Sequence, residues 1–239
     1  IYIKGSHYIF TQTYNDYLVN GNRAFASDFM ANVYENSFEV IETENIPAAK
    51  EEKIILNSSL DGCRIGFDAG GSDRKVSAVI NGEVVYSEET VWFPKITEDP
   101  MYHYQGILES MKTAASKMPR VDAIGVSSAG IYVNNRIMVA SLFLKVNKEN
   151  FDKHVKNMYI DVAKEFGDVP LVVANDGDVT ALAGAMDLKD NQVLGIAMGT
   201  SEATGYVDEK GNLKGWLNEL AFVPVDANKD SMVDEWSGD

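Results

Sequence analysis

The sequence predicts an α/β protein built around a mixed β-sheet, and two observations indicate this fold. From residue 63 onward, short apolar segments with strand character alternate with helical segments, a pattern that favours parallel strand pairing. The first three strands are joined only by tight turns, so the sheet must begin with antiparallel pairs. In addition, segments 63–89 and 192–216 share one strand-turn-strand pattern, which predicts two similar meanders in adjacent domains.

Composition limits the classes of protein that fit. The chain has 239 residues, 45% of them apolar, which is enough for a buried core in one large or two small domains. Its net charge of −15 argues against a nucleic-acid-binding surface, because a phosphate backbone would be repelled. The lone Cys63 excludes an intramolecular disulfide, and there is no Cys/His cluster typical of structural zinc.

The cellular location is predicted from what the sequence lacks. No apolar run approaches membrane-spanning length, and the first residues do not have the basic-then-apolar pattern of a signal peptide. We therefore expect a cytoplasmic protein without a membrane partner, although a chain that begins at Ile1 leaves a removed leader open.

Residues 1–60 are predicted to form an extension of unknown role, packed on the main fold. They are rich in Tyr, Asn and Glu, with a helical pattern at 24–34 and short strand patterns at 38–42 and 54–56.

The first meander is the clearest part of the pattern. A strand from Cys63 ends at Asp68, a turn follows at 69–73, and two further strands cover 75–80 and 83–89. The intervening Asn81-Gly82 suits the positive dihedral angles of a type I′ turn, which makes this hairpin the most secure.

The later elements alternate between helix and strand. We predict helices at 102–117, 150–166 and 179–186, strands at 123–127 and 171–174, and a second meander at 192–216. Sheets of this type bind ligands at the carboxyl ends of their strands. Asp68, Gly130, Asp176 and Gly199 all fall at predicted strand ends, so four separate segments point to one site.

Each meander places a turn of small residues after a buried strand. The first turn contains Gly70-Gly71-Ser72 and the second contains Gly199-Thr200-Ser201. Freed backbone N–H groups and hydroxyls in such turns can wrap around an anion. The two turns together predict a phosphate held from both sides.

Asp68 has two interpretations. A carboxylate beside an anion-binding turn would repel phosphate unless a divalent cation lies between them, directly or through water. The alternative is an aspartate that merely caps a tight turn, which is a common arrangement.

Asp176 is the stronger catalytic candidate. It ends a buried strand, where a carboxylate can accept a proton from an alcohol substrate as a general base, and Asn175 beside it can both donate to and accept from a hydroxyl. The alternative is an Asx turn that caps the next helix, but Asp178 fills that role if the helix begins near Val179.

In their order along the chain, these motifs resemble those of the sugar kinase, actin and heat-shock chaperone ATPase superfamily. Within it they are most similar to the ROK family of sugar kinases and repressors, over roughly residues 63–226. The matching motifs are Asp68-Ala69-Gly70-Gly71-Ser72, Ser128-Ala129-Gly130, Asn175-Asp176 followed by Ala181-Leu182-Ala183, and Gly199-Thr200.

The resemblance implies a ribonuclease H-like (actin-like ATPase) fold with duplicated domains, each a mixed sheet with helices on both faces. Residues 61–188 would form the first domain and 189–239 the start of a second, incomplete one. Because only about forty residues follow the second turn, too few for an α/β domain of ordinary size, we expect the chain to be part of a longer protein.

The resemblance also implies ATP and Mg²⁺ as cofactors and a sugar or related hydroxyl compound as substrate. The metal would lie at Asp68, directly or through water, and Asp176 would deprotonate the acceptor. The residues implied to bind ATP phosphates are Asp68, Gly70, Gly71, Ser72, Gly199 and Thr200, and those implied to contact the substrate are Gly130, Asn175, Asp176 and Glu219.

Two departures from the family pattern bear on function. Phe222 stands where the family usually has a histidine that contacts the sugar and in many members also binds zinc, so the sugar and any zinc site are open. After Gly199-Thr200 the family is glycine-rich, whereas this chain has Ser201-Glu202, which restricts the backbone and adds negative charge.

Three functions fit these features. The first is an ATP-dependent kinase for a sugar or related compound, which Asp68, the first turn and Asp176 favour. The second is a non-catalytic ligand-binding or regulatory protein, which Glu202 and Phe222 favour. The third is an ATPase that drives a partner protein, and a large exposed apolar surface would support it. A homodimer is among the assemblies that the sequence leaves open.

Overall fold

The structure is a computed structural model that describes residues 1–50, 53–54, 60–198, 202–214, 216, 220, 228 and 230. The chain divides into two units, one made of Ile1–Glu52 with Phe222–Asp239 and the other of Lys53–Ala221. The predicted domain boundary near residue 188 falls inside the second unit.

In the first unit, a pair of helices follows a short strand. Strand β1 (Tyr2–Ile3) precedes α1 (His7–Tyr17) and α2 (Ala24–Tyr34), and β2 (Ile41–Glu42) pairs parallel with β1. The helix predicted at 24–34 is confirmed residue for residue. Helix α1 was not predicted because it contains few aliphatic residues, and none of its residues is buried.

The second unit contains the remaining strands and helices. Its strands are β3 (Lys53–Ile54), β4 (Cys63–Ala69), β5 (Asp73–Ile80), β6 (Glu83–Val91), β7 (Ala123–Ser128), β8 (Ile131–Val133), β9 (Arg136–Val139), β10 (Leu171–Asn175), β11 (Val193–Met198), β12 (Glu202–Val207) and β13 (Leu213–Lys214). Its helices are α3 (Pro100–Ala115), α4 (Lys148–Asn150), α5 (Met158–Lys164) and α6 (Asp176–Leu188), with 3₁₀ turns at Pro94–Ile96 and Ser141–Phe143 and a π-helical turn at Phe151–Val155.

The first sheet of this unit is mixed, in the order β10-β7-β4-β5-β6. Strands β10, β7 and β4 run parallel, whereas β4, β5 and β6 form an antiparallel meander. This arrangement confirms the predicted mixed α/β sheet with an antiparallel start. It also places the carboxyl ends of β4, β6, β7 and β10 at one edge, since β6 is antiparallel to β5 and β5 to β4.

Strand β4 shows why one face of this sheet is the core. Its residues alternate between buried and half-buried, so that Ile65 and Phe67 face inward. They belong to the same buried cluster as Ile107 and Met111 of α3 and Val162 of α5. Each large side chain buried in this way contributes about 1.5–3 kcal/mol. The alternation leaves Asp68 on the opposite face from this core.

Two hairpins have asparagine residues in their turns. Asn81 and Gly82 have φ of 50° and 86°, as the type I′ prediction requires. A second hairpin, β8–β9, was not predicted. Asn134-Asn135 was its signal, since asparagine tolerates the left-handed conformation and both residues have positive φ. Asn135 then completes the edge of β10, accepting from the Val173 amide at 2.9 Å.

The helix predicted at 150–166 is interrupted. Helix α4 runs into the π-helical turn Phe151–Val155, and α5 begins only at Met158. The Lys156 carbonyl accepts from the Ile137 amide of β9 at 2.9 Å, so a carbonyl that would continue the helix bonds to a strand instead.

The second sheet packs closely against α6. Strands β11, β12, β13 and β3 are antiparallel, which confirms a second meander, and Gly195 of β11 lies opposite Gly205 of β12. A Cβ atom at Gly195 would overlap the Ala181 backbone, and one at Gly205 would overlap the Asp178 backbone. The helix can approach this closely only because both strands carry glycine there. Within the described ranges, no helix is long and apolar enough to cross a membrane.

The contact between α6 and the second sheet gives a stability prediction. We expect Gly195→Ala to lower the free energy of unfolding by about 1–3 kcal/mol, because the added methyl group meets helix backbone that cannot move aside. Urea denaturation measures this change. Gly125→Ala in β7 is the matched control, since a Cβ there has no neighbour within 4 Å. Equal stability of the two variants would show that α6 shifts freely on the sheet.

Candidate active site

Three parallel strands end level with one another at the carboxyl edge of the first sheet. Asp68 of β4 pairs with Ser127 of β7, and Ser128 of β7 pairs with Asn175 of β10. Neighbouring strands lie about 4.8 Å apart, so this register brings the end of each strand close to the next. The structure therefore places Asp68, Ser128 and the residues after Asn175 at one edge.

Asn175 fixes the geometry at the start of α6. Its side-chain oxygen accepts from the Gly177 amide at 2.8 Å, and its amide nitrogen donates to the Gly130 carbonyl at 2.8 Å. The expectation that Asp178 caps a helix beginning near Val179 is wrong, because α6 begins at Asp176 and Asn175 is its N-cap. Asn175 thus joins the loop after β7 to the helix that carries Asp176, and its predicted contact with substrate stays a prediction.

Asp178 has a different environment from the one expected for a cap. It is buried in the first turn of α6, where that helix lies against Gly205 of β12. Its negative charge is favourable there because the N-terminal end of a helix carries partial positive charge.

Asp176 is the first residue of α6 and is half-buried. Burial raises the pKa of its carboxyl group above the ordinary value, and the negative charge of Asp68 raises it further. The Gly177 amide, 3.1 Å from Oδ1, acts in the opposite direction without cancelling these effects. The two carboxylates predicted to act together are therefore close enough to interact electrostatically.

A buried tyrosine lies beneath this edge. Tyr159 of α5 is 1% exposed, and burial raises the pKa of its phenol, with a smaller contribution from the charge of Asp68. The Tyr159 hydroxyl has no hydrogen-bond partner among the described residues. Ser128 instead donates to the Ala69 carbonyl at 3.3 Å, which ties the ends of β7 and β4 together.

The Gly70-Gly71-Ser72 turn is held from below by Trp92. The indole N–H donates to the Gly70 carbonyl at 2.8 Å, and the Trp92 amide donates to the Ser72 carbonyl at 3.1 Å. Trp92 is itself buried, with the guanidinium of Arg74 over its ring at 5.7 Å. Two carbonyls of the turn are thus engaged, whereas the Gly71 amide forms no hydrogen bond within the described part of the chain.

The charged groups beside this turn were not recognised in the sequence. Asp73 accepts from Lys75 Nζ at 2.8 Å and from Ser72 Oγ at 3.2 Å. The hydrogen bond from Lys75 is the main reason that the pKa of Asp73 is lowered. Ser72 therefore directs its hydroxyl to Asp73, and Lys75, which lies opposite Asp68 in the sheet register, neutralises the carboxylate in the turn.

Lys95 is a second basic residue at this turn. It lies in the 3₁₀ turn Pro94–Ile96, which follows β6 and so begins at the carboxyl edge of the sheet. A Cβ atom at Gly71 would lie 2.7 Å from Lys95 Cε and 2.9 Å from Nζ. The signal that could have identified it is a lysine in the short segment between the third strand of the meander and the next helix.

Several predicted site residues lie outside the described residues, namely Gly199, Thr200, Ser201, Glu219 and Phe222. The residues on either side of the second turn are described: Met198 of β11 pairs with Glu202 of β12. The structure thus brings together Asp68, Gly70, Gly71, Ser72, Gly130, Asn175 and Asp176, and the roles of the second turn and of Glu219 stay predictions.

Comparison with solved structures supports the fold. The chain is similar to the ROK hexokinase from Thermus thermophilus, with a TM-score of 0.51 and 17% identity, covering 66% of this chain and 51% of that one. It is equally similar to a ROK family transcriptional regulator, a homologue of the E. coli MLC protein, with a TM-score of 0.51 and 17% identity, covering 74% and 44%. The chain therefore spans about half the length of these structures.

No protein-family model and no curated protein sequence matches the chain. The structural likeness confirms the predicted actin-like ATPase fold and the predicted resemblance to ROK proteins at the level of fold. At 17% identity, the likeness does not extend to activity.

The raised pKa of Asp176 predicts how a variant changes stability. Because the pKa of Asp176 is raised in the folded state, its contribution to folding stability is fully present below 3.8, the pKa in the unfolded chain. That contribution is lost as pH rises through the pKa of the folded state. We therefore expect Asp176→Asn to raise the melting temperature at pH 7, with a difference that shrinks as pH falls toward 3.8. Thermal unfolding at several pH values measures this. A variant less stable than the parent at pH 7 would show that the carboxylate stabilises the helix end.

Proposed function

We propose that this chain belongs to an ATP-dependent phosphotransferase of the ROK type, which phosphorylates a hydroxyl of a sugar or related small molecule. The observation that carries the proposal is the meeting of Asp68, the Gly70–Ser72 turn and Asp176 at one edge of an actin-like sheet. A phosphoryl transferase needs a place for the phosphates, a place for the acceptor and a group that removes the proton of the acceptor. The turn with Asp68 fits the first requirement, Gly130 and Asn175 beside Asp176 fit the second, and Asp176 fits the third.

In this proposal Asp176 is the general base. A base works best when its pKa lies near the working pH, and burial moves the pKa of Asp176 in that direction. Its position is held by the Asn175 cap and by the helix that packs on the second sheet. An acceptor hydroxyl within hydrogen-bond reach of Asp176 would lose its proton to the carboxylate as its oxygen attacks the γ-phosphorus of ATP. The bond from that phosphorus to the bridging oxygen would break, and ADP would leave with that oxygen.

The Gly70–Ser72 turn holds the phosphates in this proposal. The Gly71 amide has no acceptor within the described residues, and a glycine allows a phosphate oxygen to approach the backbone closely. The engagement of the Gly70 and Ser72 carbonyls by Trp92 leaves amides rather than carbonyls available to the ligand.

The residues at this edge fit a magnesium ion. Within the described chain there is no group of three or more His, Cys, Asp or Glu side chains that could hold a metal by themselves. Magnesium does not need one, because it commonly binds through one or two carboxylates together with substrate phosphates and water. Asp68 would hold the magnesium ion, directly or through water. Its carboxylate lies close enough to Asp176 for its charge to raise the pKa of that group. When bound, Mg²⁺ would offset the charge of the phosphates.

A regulatory protein is the second candidate. The likeness to the ROK regulator covers 74% of this chain, and Ser201-Glu202 replaces the glycines expected after the second turn. Such a protein would bind a sugar without turning over ATP. The two candidates differ in one measurement, which is ADP release that depends on an added sugar.

A kinetic prediction tests the role of Asp176. In the full-length protein, we expect Asp176→Asn to reduce phosphoryl transfer by about 10²–10⁴-fold and to leave nucleotide affinity largely unchanged, because the amide keeps the shape but cannot accept the proton. Coupled ADP-release assays and nucleotide titration measure these two quantities. Asp187→Asn, an exposed change on the same helix, is the matched control. Unaltered turnover in the Asp176 variant would assign the base to another group.

A second prediction concerns the acceptor. Phe222 stands where the ROK family usually has a histidine that contacts the sugar, and a hydroxyl left unpaired against a phenyl ring costs roughly 1–3 kcal/mol. We therefore expect glucose to be a poor substrate and a compound with an apolar or differently placed group to be preferred. A panel of hexoses, amino sugars and polyols tests this, and Phe222→His should improve glucose turnover. Glucose as the best substrate would contradict the prediction, whereas no turnover with any compound of the panel would favour the regulatory candidate.

A further inference from the structure

Lys95 is built into the support of the glycine turn. Its 3₁₀ turn follows Trp92, which bonds to both the Gly70 and Ser72 carbonyls. The Phe93 amide donates to the Tyr102 hydroxyl at 2.9 Å, so the segment is also fastened to α3. The backbone that carries Lys95 and the turn that faces it are therefore held by the same buried tryptophan.

A buried histidine adds a second attachment. His103 of α3 is fully buried, and its Nε2 lies 3.1 Å from the Pro94 carbonyl and 3.3 Å from the Leu142 carbonyl. The Thr97 hydroxyl donates to the Phe93 carbonyl at 2.6 Å and closes the segment on its other side. With both sides fixed, the backbone that carries Lys95 is held in place beside the glycine turn.

Of the three basic side chains near this turn, Lys75, Arg74 and Lys95, only Lys95 has no partner in the described residues. Lys75 is paired with Asp73 at 2.8 Å, and Arg74 donates from Nε to Ser110 at 2.8 Å while lying over Trp92. Lys95 is half-buried and forms neither an ion pair nor a hydrogen bond within the described chain. An ammonium group without a partner, beside an amide without an acceptor, is an environment that favours an anion.

We propose that Lys95, together with the Gly71 amide, binds a phosphate oxygen of the β- or γ-phosphoryl group of a nucleotide. The proposal rests on the proposed function, since it assigns the phosphates to this turn. Lysine suits the role as a compact charge on a flexible stem, which can follow a phosphoryl group without a fixed bidentate geometry. The alternative is that the stem of Lys95 only covers Gly71.

The test compares ligands with different numbers of phosphates on the full-length protein. Calorimetric titrations with MgATP, MgADP, AMP and inorganic pyrophosphate are made on the parent protein and on Lys95→Met, which keeps an apolar stem but loses the charge. Lys95→Arg tests rescue by a second cation. Lys112→Met is the matched control, because Lys112 is exposed on α3 and has no ion pair in the described residues.

We expect Lys95→Met to weaken MgATP, MgADP and pyrophosphate about 10- to 100-fold and to leave AMP within about two-fold, with Lys95→Arg in between and Lys112→Met unchanged. Equal loss for AMP and ATP, or no loss for either, would overturn the proposal in favour of a packing role. If pyrophosphate binds in a way that depends on Lys95 but no nucleotide binds, the anion site is upheld and the proposed kinase activity is refuted. If the parent protein binds none of the four ligands, both the anion site and the proposed kinase activity are refuted.

Discussion

The parallel register of β4, β7 and β10 is the constraint on which the candidate site depends. The pairs Asp68 with Ser127 and Ser128 with Asn175 make the three strands end together, so polar residues far apart in sequence meet at one edge. Apolar alternation along β4 maintains this register, because a slip of one residue would turn Ile65 and Phe67 away from the core. The site is therefore stabilised by burial on the other face of the same sheet.

Buried side chains behind the edge hold the loops that the strands lead into. Trp92 holds the glycine turn after β4, and Asn175 links the loop after β7 to the start of α6. Both residues use hydrogen bonds to backbone carbonyls, which fix the path of the chain more closely than apolar contact alone. The glycines of β11 and β12 then let α6 lie close to the second sheet, so the helix that carries Asp176 is fixed from both sides.

The charges at the edge differ from those of the chain as a whole. The net charge of −15 would repel a phosphate at long range, yet Lys75 and Lys95 both lie at the glycine turn. Lys75 neutralises Asp73, which would otherwise oppose an anion there. Burial raises the pKa of Asp176, with a smaller contribution from the negative charge of Asp68, and a perturbation of this kind occurs at functional sites.

The local sequence determined the two meanders, strands β7 and β10, and the type I′ turn at Asn81-Gly82. It also determined the position of Asp68, Gly130 and Asp176 at strand ends, because period-two alternation and turn chemistry are properties of neighbouring residues. The start of α6 was predicted too late although its cap is a local contact between Asn175 and the Gly177 amide. Only the fold supplies the second bond of Asn175, to the Gly130 carbonyl 45 residues away along the chain.

Tertiary structure alone decided the placement of Lys95 against Gly71 and of Lys75 opposite Asp68. The first contact exists only when β6 returns to the carboxyl edge of the sheet, after two antiparallel strands of particular length. The interrupted helix at 148–164 has the same origin, since a carbonyl at Lys156 bonds to β9 rather than along the helix. Such long-range pairings depend on the whole fold, and no local period in the sequence carries them.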